Sequence, residues 1–313
     1  MISFARLVTR KVDDYVRFRR CLGHAFVSQA ATLGSFRDFI KKGRHSGPLT
    51  QDLAIAFVLS SDVTLNVRAW RFRVLRRFAE YLAVFDARTE VLDTKALPPS
   101  RAIPPARILD AGEITRLLLA ARDGSPHQPL RGLTLYTVLG LLASTGMRSG
   151  EALRLDRSDV DLTTGVLQVR QTKFRKNRLV PVHATTREVL RTYAAARDAA
   201  FPKPQSPAFF FSLRGCRLSA TGFGGAFGQA RRRVGLDAGG LRPVRAHDLR
   251  HRFAVTRLVM WHREGVDVQT QLPLLATYLG HVRYSDTAYY VSGTADLLGL
   301  AAERAFGGDG GVL

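Results

Sequence analysis

The sequence predicts a mainly helical protein of two domains: an all-helical N-terminal domain and a larger α+β domain with one small three-stranded antiparallel sheet. Three observations predict it. Apolar residues recur at helical spacing over most of the 313 residues. A proline-dense break interrupts that pattern close to residue 100. One stretch, Val160 to Val182, alternates with the two-residue period of strands. A chain of this length has room for two domains, each with its own core.

In order along the chain, Val12 to Leu22, Ala30 to Ile40, Thr50 to Leu59 and Val63 to Phe85 read as four helices. The fourth places Trp70, Val74, Phe78 and Tyr81 on one face, which supplies a buried stripe. Arg68, Arg71, Arg73, Arg76 and Arg77 decorate the same helix and fit a solvated face or a DNA-facing one equally well. Between Leu97 and Arg107, Pro98, Pro99, Pro104 and Pro105 each lack an amide donor and restrain the residue before them, so residues 97–107 read as an interdomain linker. The domains they separate are 1–96 and 108–313.

Beyond the linker, Gly112-Glu113-Ile114 opens a short helix with Leu117, Leu118 and Leu119. An apolar helix from Leu133 ends at Thr145-Gly146, which sets Arg148 at a helix-to-helix junction. Val160 to Leu162, Val166 to Gln171 and Arg178 to Val182 are strand-like, separated by Thr163-Thr164-Gly165 and Phe174-Arg175-Lys176-Asn177; Lys173 then falls at or beside a hairpin turn. Thr185 to Ala199, Ser219 to Val234, His247 to Trp261 and Leu272 to Leu279 return to helical spacing. Leu297, Leu298 and Leu300 mark a short apolar tail helix within Thr294 to Phe306.

Composition narrows the function. Lys+Arg of 47 against Asp+Glu of 26 gives a net charge of +21, which points to a polyanionic partner. Cys21 and Cys216 form no metal-ligand or redox spacing, so no disulfide framework or zinc site is expected and a reducing cytoplasm fits. The start, Met1-Ile2-Ser3-Phe4-Ala5-Arg6, lacks a signal-peptide core, and the longest apolar stretch, Leu133 to Ala143, is too short to span a bilayer. No membrane role is expected.

Six residues carry the chemistry: Arg148, Lys173, His247, Arg250, His281 and Tyr290. A tyrosine hydroxyl attacks a phosphodiester only where other groups hold the phosphate and move protons. Guanidinium groups stay charged and pair with non-bridging oxygens, histidines titrate near neutrality, and a lysine can protonate a departing sugar oxygen. Taken singly, each motif has a bland reading as a helix end, a solvated face or a half-buried aromatic. Their contexts are Thr145-Gly146-Met147-Arg148-Ser149-Gly150-Glu151, Thr172-Lys173, His247-Asp248-Leu249-Arg250-His251 and Leu279-Gly280-His281, with Tyr290 nine residues further on.

In the order, spacing and neighbours of all six positions the chain resembles the tyrosine recombinases, also called phage-type integrases. The likeness is strong from Ile108 to about Tyr290 and general before that. It implies a two-domain, Xer-like or transposon-type member in which a core-binding (SAM-like) domain and a catalytic domain form a C-shaped clamp on double-stranded DNA. In that scheme Tyr290 attacks the scissile phosphate, giving a 3′-phosphotyrosyl link and a free 5′ hydroxyl, without ATP, metal or other cofactor. Arg148 and Arg250 clamp the phosphate, His247 and His281 add donors, and Lys173 protonates the leaving oxygen, with Lys176 as its rival. Glu151 and Asp248 orient these groups.

The family interval from His281 favours Tyr290 over the adjacent Tyr289. The tail helix is expected to dock on a neighbouring protomer and couple subunits of a tetramer on DNA, the free protein being a monomer or weak dimer. The resemblance further implies integration or excision of a mobile element in the cytoplasm, at the nucleoid. Two other classes stay open: a type IB topoisomerase, disfavoured because those enzymes usually carry Lys where His247 stands, and a DNA-binding protein without chemistry.

Overall fold

A computed structural model describes residues 3–97, 106–170, 177–237, 242–281 and 287. Lys173, Lys176, Tyr289, Tyr290, the tail segment and most of the proline-dense linker lie outside the described residues. The chain divides into two compact units, Met1–Ile103 and Pro104–Leu313. Among the described residues no helix is long and apolar enough to cross a membrane.

The first unit is built from α1 (Phe4–Cys21), α2 (Val27–Lys42), α3 (Gln51–Leu59) and α4 (Leu65–Leu82). Helix α1 starts eight residues before the predicted Val12, because Phe4 and Val8 extend the buried face of Val12 and Tyr15 by two further turns. Around Leu33, Phe36, Phe72, Leu75 and Phe78 the four helices close one apolar core. The arginines of α4 are partly engaged within the unit: Arg76 and Arg77 pair with Glu80, and Arg71 donates to the Ser61 hydroxyl.

The second unit contains α5 (Ala111–Asp123), α6 (Pro129–Thr145), α7 (Ser149–Arg154), β1 (Val160–Asp161), β2 (Val166–Val169), β3 (Arg178–Pro181), α8 (Ala184–Ala200), α9 (Ala220–Arg233), α10 (Ala246–Arg263) and α11 (Val268–Leu279). Helix α5 begins on a reciprocal cap, in which Asp110 accepts from the Glu113 amide and Glu113 accepts from the Asp110 amide. Helix α6 begins at Pro129 rather than Leu133; proline suits a first helical turn, where its missing amide hydrogen has no partner to lose. Leu135, Val138, Leu139, Leu141 and Leu142 bury α6 nearly all round, and α5, α8, α9 and α10 pack on it.

The sheet runs β1-β2-β3, antiparallel throughout. Val169 pairs with Arg178, so β2 ends there, two residues short of the predicted Gln171. Leu167, Val169 and Val180 face the core. A separate apolar cluster of Ala254, Val255, Leu258, Leu272, Leu275 and Leu279 joins α10 to α11. The site is assembled on the ends of α6 and α11, the start of α10 and the edge strand β3.

Candidate active site

Two helix ends set the geometry. Helix α6 stops at Gly146, which adopts a left-handed conformation (φ 63°) and donates its amide to the Leu142 carbonyl. Helix α11 stops at Gly280 (φ 69°), with Gly280 N–H on Thr277 O at 3.0 Å and His281 N–H on Ala276 O at 2.9 Å, the double closure of a Schellman motif. These reversals place Arg148 and His281 immediately beyond two helix C-termini.

Arg250, on α10, stitches the two ends together. It is 1 % exposed. Its Nη1 donates to the Gly146 carbonyl at 2.8 Å and its Nη2 to the Leu279 carbonyl at 2.9 Å. Helix C-termini carry partial negative charge, so carbonyl dipoles at these two contacts offset the buried guanidinium without cancelling a full unit of charge.

Arg148 is the N-cap residue of α7 and half-buried. Its guanidinium donates to Glu151 Oε1 at 2.9 Å and, more weakly, to the Gly280 carbonyl at 3.4 Å. Glu151, 3 % exposed, also accepts from the Arg148 amide at 3.1 Å. Burial by itself would raise the Glu151 carboxyl, but the bonds and charge of Arg178, joined by those of Arg148, hold it at about 2. Arg178 donates from Nη1 to Oε1 at 3.2 Å and from Nη2 to Oε2 at 2.8 Å, a forked pair.

That depressed pKa has a measurable consequence. A carboxyl at about 2 when folded, against an ordinary 4.5, contributes stability that is present above 4.5 and lost as pH falls through 4.5 towards 2. Between about pH 6 and about pH 3, wild-type protein should lose on the order of 2 kcal/mol of unfolding free energy through this group. Glu151→Gln should lack that component. Urea unfolding at both pH values checks it, and equal acid losses in the two proteins would refute it.

His247 opens the α10 helix, its ring partly in solvent and 4.7 Å from the His251 ring, edge to face. Burial of its inner side and the charges of Arg250 and Arg148 push its pKa below the ordinary histidine value. Burial and the neighbouring His247 bring His251 down to about 4. At neutral pH His247 is therefore an uncharged imidazole, able to accept a proton. Asp248, 1 % exposed, accepts two bonds from Arg242 at 2.7 and 2.6 Å and one from the Arg245 amide at 2.7 Å. Burial would raise its carboxyl; these partners hold it below the usual range. The start of α10 is thus fixed beside the site.

His281 follows Gly280 and shares a 2.7 Å hydrogen bond between Nδ1 and the buried Thr287 hydroxyl. Arg148, Arg250 and His281 accordingly meet on one set of turns, and His247 lies close enough for both arginines to act on it. Lys173 and Tyr290 fall outside the described residues. Among the described residues no group of three or more His, Cys, Asp or Glu could hold a metal ion.

Two residues escape the sequence reading as partners of the site: Arg178, which enters it only as the first residue of a predicted strand, and Arg242. A signal for the first exists. In β3 Leu179 faces out, 64 % exposed, while Val180 is 1 % exposed, so strand alternation turns Arg178 inward with Val180.

Two arginines and two histidines gathered on helix ends, in a mainly helical two-unit chain of net charge +21, suit an anionic partner such as a phosphate backbone. Residues 107–296 match the phage integrase family. The chain belongs to that family, the tyrosine recombinases, which cleave and rejoin DNA. It is 58 % identical over 306 residues to y4rE of Sinorhizobium fredii, provisionally named an integrase/recombinase, with 98 % of each chain covered. It is 31 % identical over 291 residues to the tyrosine recombinase XerD of Mycobacterium tuberculosis, covering 91 % of this chain and 86 % of the other. Among solved structures, the Tn1549 transposon integrase bound to transposon right end DNA shares the fold, with a TM-score of 0.67, 16 % identity and 97 % and 99 % coverage. A lambda integrase dimer bound to a COC′ core site matches at a TM-score of 0.61 with 19 % identity, covering 91 % and 97 %.

Proposed function

We propose that this chain is a site-specific DNA recombinase whose nucleophile is Tyr290. One observation carries the reading: Arg148 and Arg250 bond to adjacent carbonyls, of Gly280 and Leu279, directly before His281. Two fixed cations and an imidazole at one turn suit a pentacovalent phosphate, which gathers negative charge on its equatorial oxygens.

The Tyr290 oxygen attacks the scissile phosphorus, the bond from phosphorus to the 5′ oxygen breaks, and Lys173 supplies the proton that leaves with that oxygen. Neutral His247 takes the phenolic proton or donates to the phosphorane. Religation reverses these steps, and the retained phosphodiester energy makes ATP unnecessary. Residues 1–96 serve as the core-binding domain and 108–313 as the catalytic domain, both acting on duplex DNA, with linker 97–107 between them. Four protomers assemble at synapsis, through the apolar segment Thr294 to Phe306, in the cytoplasm at the nucleoid. Integration or excision of a mobile element is the outcome, in keeping with the integrase/recombinase name of the y4rE relative.

The test starts from a duplex site selected from a random library. A nicked version of it, incubated in EDTA, should trap covalent protein, and two intact copies should exchange strands. Plasmid relaxation without exchange would favour a topoisomerase instead. DNA binding with neither reaction would leave only a binding protein.

A further inference from the structure

Arg178 has no part in the scheme above, yet it touches three of the structures that scheme depends on. Its side chain is 10 % exposed. The fork grips both oxygens of Glu151, and the remaining donor, Nε, reaches the Tyr278 carbonyl at 2.9 Å near the end of α11. The guanidinium also packs closely against the turn before His281: a Cβ at Gly280 would stand 2.8 Å from Nη1 and 3.0 Å from Cζ, so only glycine admits this approach. A second tie between the same elements runs from the Tyr278 hydroxyl to the Pro181 carbonyl at 3.2 Å. Lys173 precedes Arg178 by five residues, in the connection between β2 and β3.

We propose that Arg178 is a positioning residue that locks the hairpin carrying Lys173 to the phosphate clamp, fixing Arg148 through Glu151 and the His281 turn through Tyr278 and Gly280. This rests on the recombinase reading above. Charge explains why an arginine is used. Glu151 alone with Arg148 would form a neutral ion pair and hold that guanidinium away from an incoming phosphate. Shared between two guanidinium groups, the carboxylate leaves the trio with a net positive charge, and Arg148 keeps donors to spare. A planar fork with a third donor at Nε satisfies Glu151 and Tyr278 together, which a lysine ammonium on a flexible stem cannot do.

The experiment compares wild-type protein with Arg178→Met, Arg178→Lys, Glu151→Gln and the double variant Arg178→Met/Glu151→Gln. Three quantities are read: the single-turnover rate of covalent trapping at saturating nicked duplex, the Kd for the same duplex, and the melting temperature. Arg178→Met should trap up to roughly a hundredfold more slowly, as expected when catalytic groups shift by about an ångström, with its Kd unchanged. Arg178→Lys should fall between Arg178→Met and wild type. The double variant should be no slower than the slower of Arg178→Met and Glu151→Gln, because both act through one contact.

A purely structural bolt would instead lower the melting temperature and leave the trapping rate of the folded protein at its wild-type value; that result, or additive losses in the double variant, overturns the proposal. If Arg178→Met does not fold, Arg178→Lys decides, and a wild-type rate for it counts against the idea. Wild-type protein that traps no DNA removes the recombinase reading itself, and this proposal with it. Trapping by wild type with an undiminished rate in the Arg178 variants removes this proposal alone.

Discussion

Arg250→Lys should trap covalent DNA roughly a hundred- to a thousandfold more slowly than wild type, the usual cost of removing one donor from a charge-stabilising site. The charge survives this substitution; the geometry does not. Nη1 and Nη2 bridge the Gly146 and Leu279 carbonyls, which belong to turns more than a hundred residues apart in sequence. An ammonium reaches one of those carbonyls and leaves the other without its donor in a buried setting. Losing one buried, charge-assisted bond and orphaning its acceptor costs about 2 to 4 kcal/mol, so thermal unfolding should register the change as well. Rate and stability must fall together, because the same two bonds that support the turns also place the cation. A variant as fast as wild type would show that the bridge is dispensable to the site.

Gly146→Ala should be the second most damaging change, although it adds a single methyl group. Gly146 sits at φ 63°, where an L-residue is strained by roughly 1 to 2 kcal/mol. Its Cβ would also stand 2.6 Å from Phe253 Cδ1 and 3.0 Å from Leu279 Cδ2. Phe253 cannot retreat alone, since its ring stacks on Tyr278 at 5.7 Å. The turn must shift instead, carrying the carbonyl that holds Arg250 and, two residues on, Arg148. We expect a loss of about 2 to 4 kcal/mol, as for an overpacked core with added backbone strain, and trapping slowed with it. Gly140→Ala is the control. It lies mid-helix in α6 with nothing within 4 Å of its Cβ, and should stabilise by about 0.5 to 1 kcal/mol. Chemical denaturation of both variants separates these opposite signs.

Much of the fold could be read from spacing because local rules decide it. Helical periodicity located every helix named above except α7, which was implied only by the junction that Gly146 before Arg148 made visible. Boundaries moved in two ways: Pro129 starts α6 by a rule other than periodicity, and Phe4 and Val8 continue the periodic face of α1 back towards the N-terminus. Roles that depend on long-range partners were less legible. Glu151 lies beside Arg148 in sequence, yet its second cation comes from β3, 27 residues away. Arg178 reads in sequence as one more basic residue in a basic hairpin, and only the inward turn of its strand distinguishes it. Arg242 is similar: six residues from Asp248, it gains meaning from the forked bond that fixes the start of α10. Depression of the His247 pKa likewise follows first from burial, then from the charge of Arg250 in the same motif and from that of Arg148, whose approach is long-range in sequence.

The proposed mechanism has a phosphate held by Arg148 and Arg250 and attacked by Tyr290. Proteolysis of the trapped covalent complex, followed by mass spectrometry of the nucleotide-bearing peptide, tests this most directly. The expected result is a phosphotyrosyl bond to Tyr290, absent when Tyr290→Phe is used. A nucleotide on Tyr289, or trapping that persists in Tyr290→Phe, would contradict it.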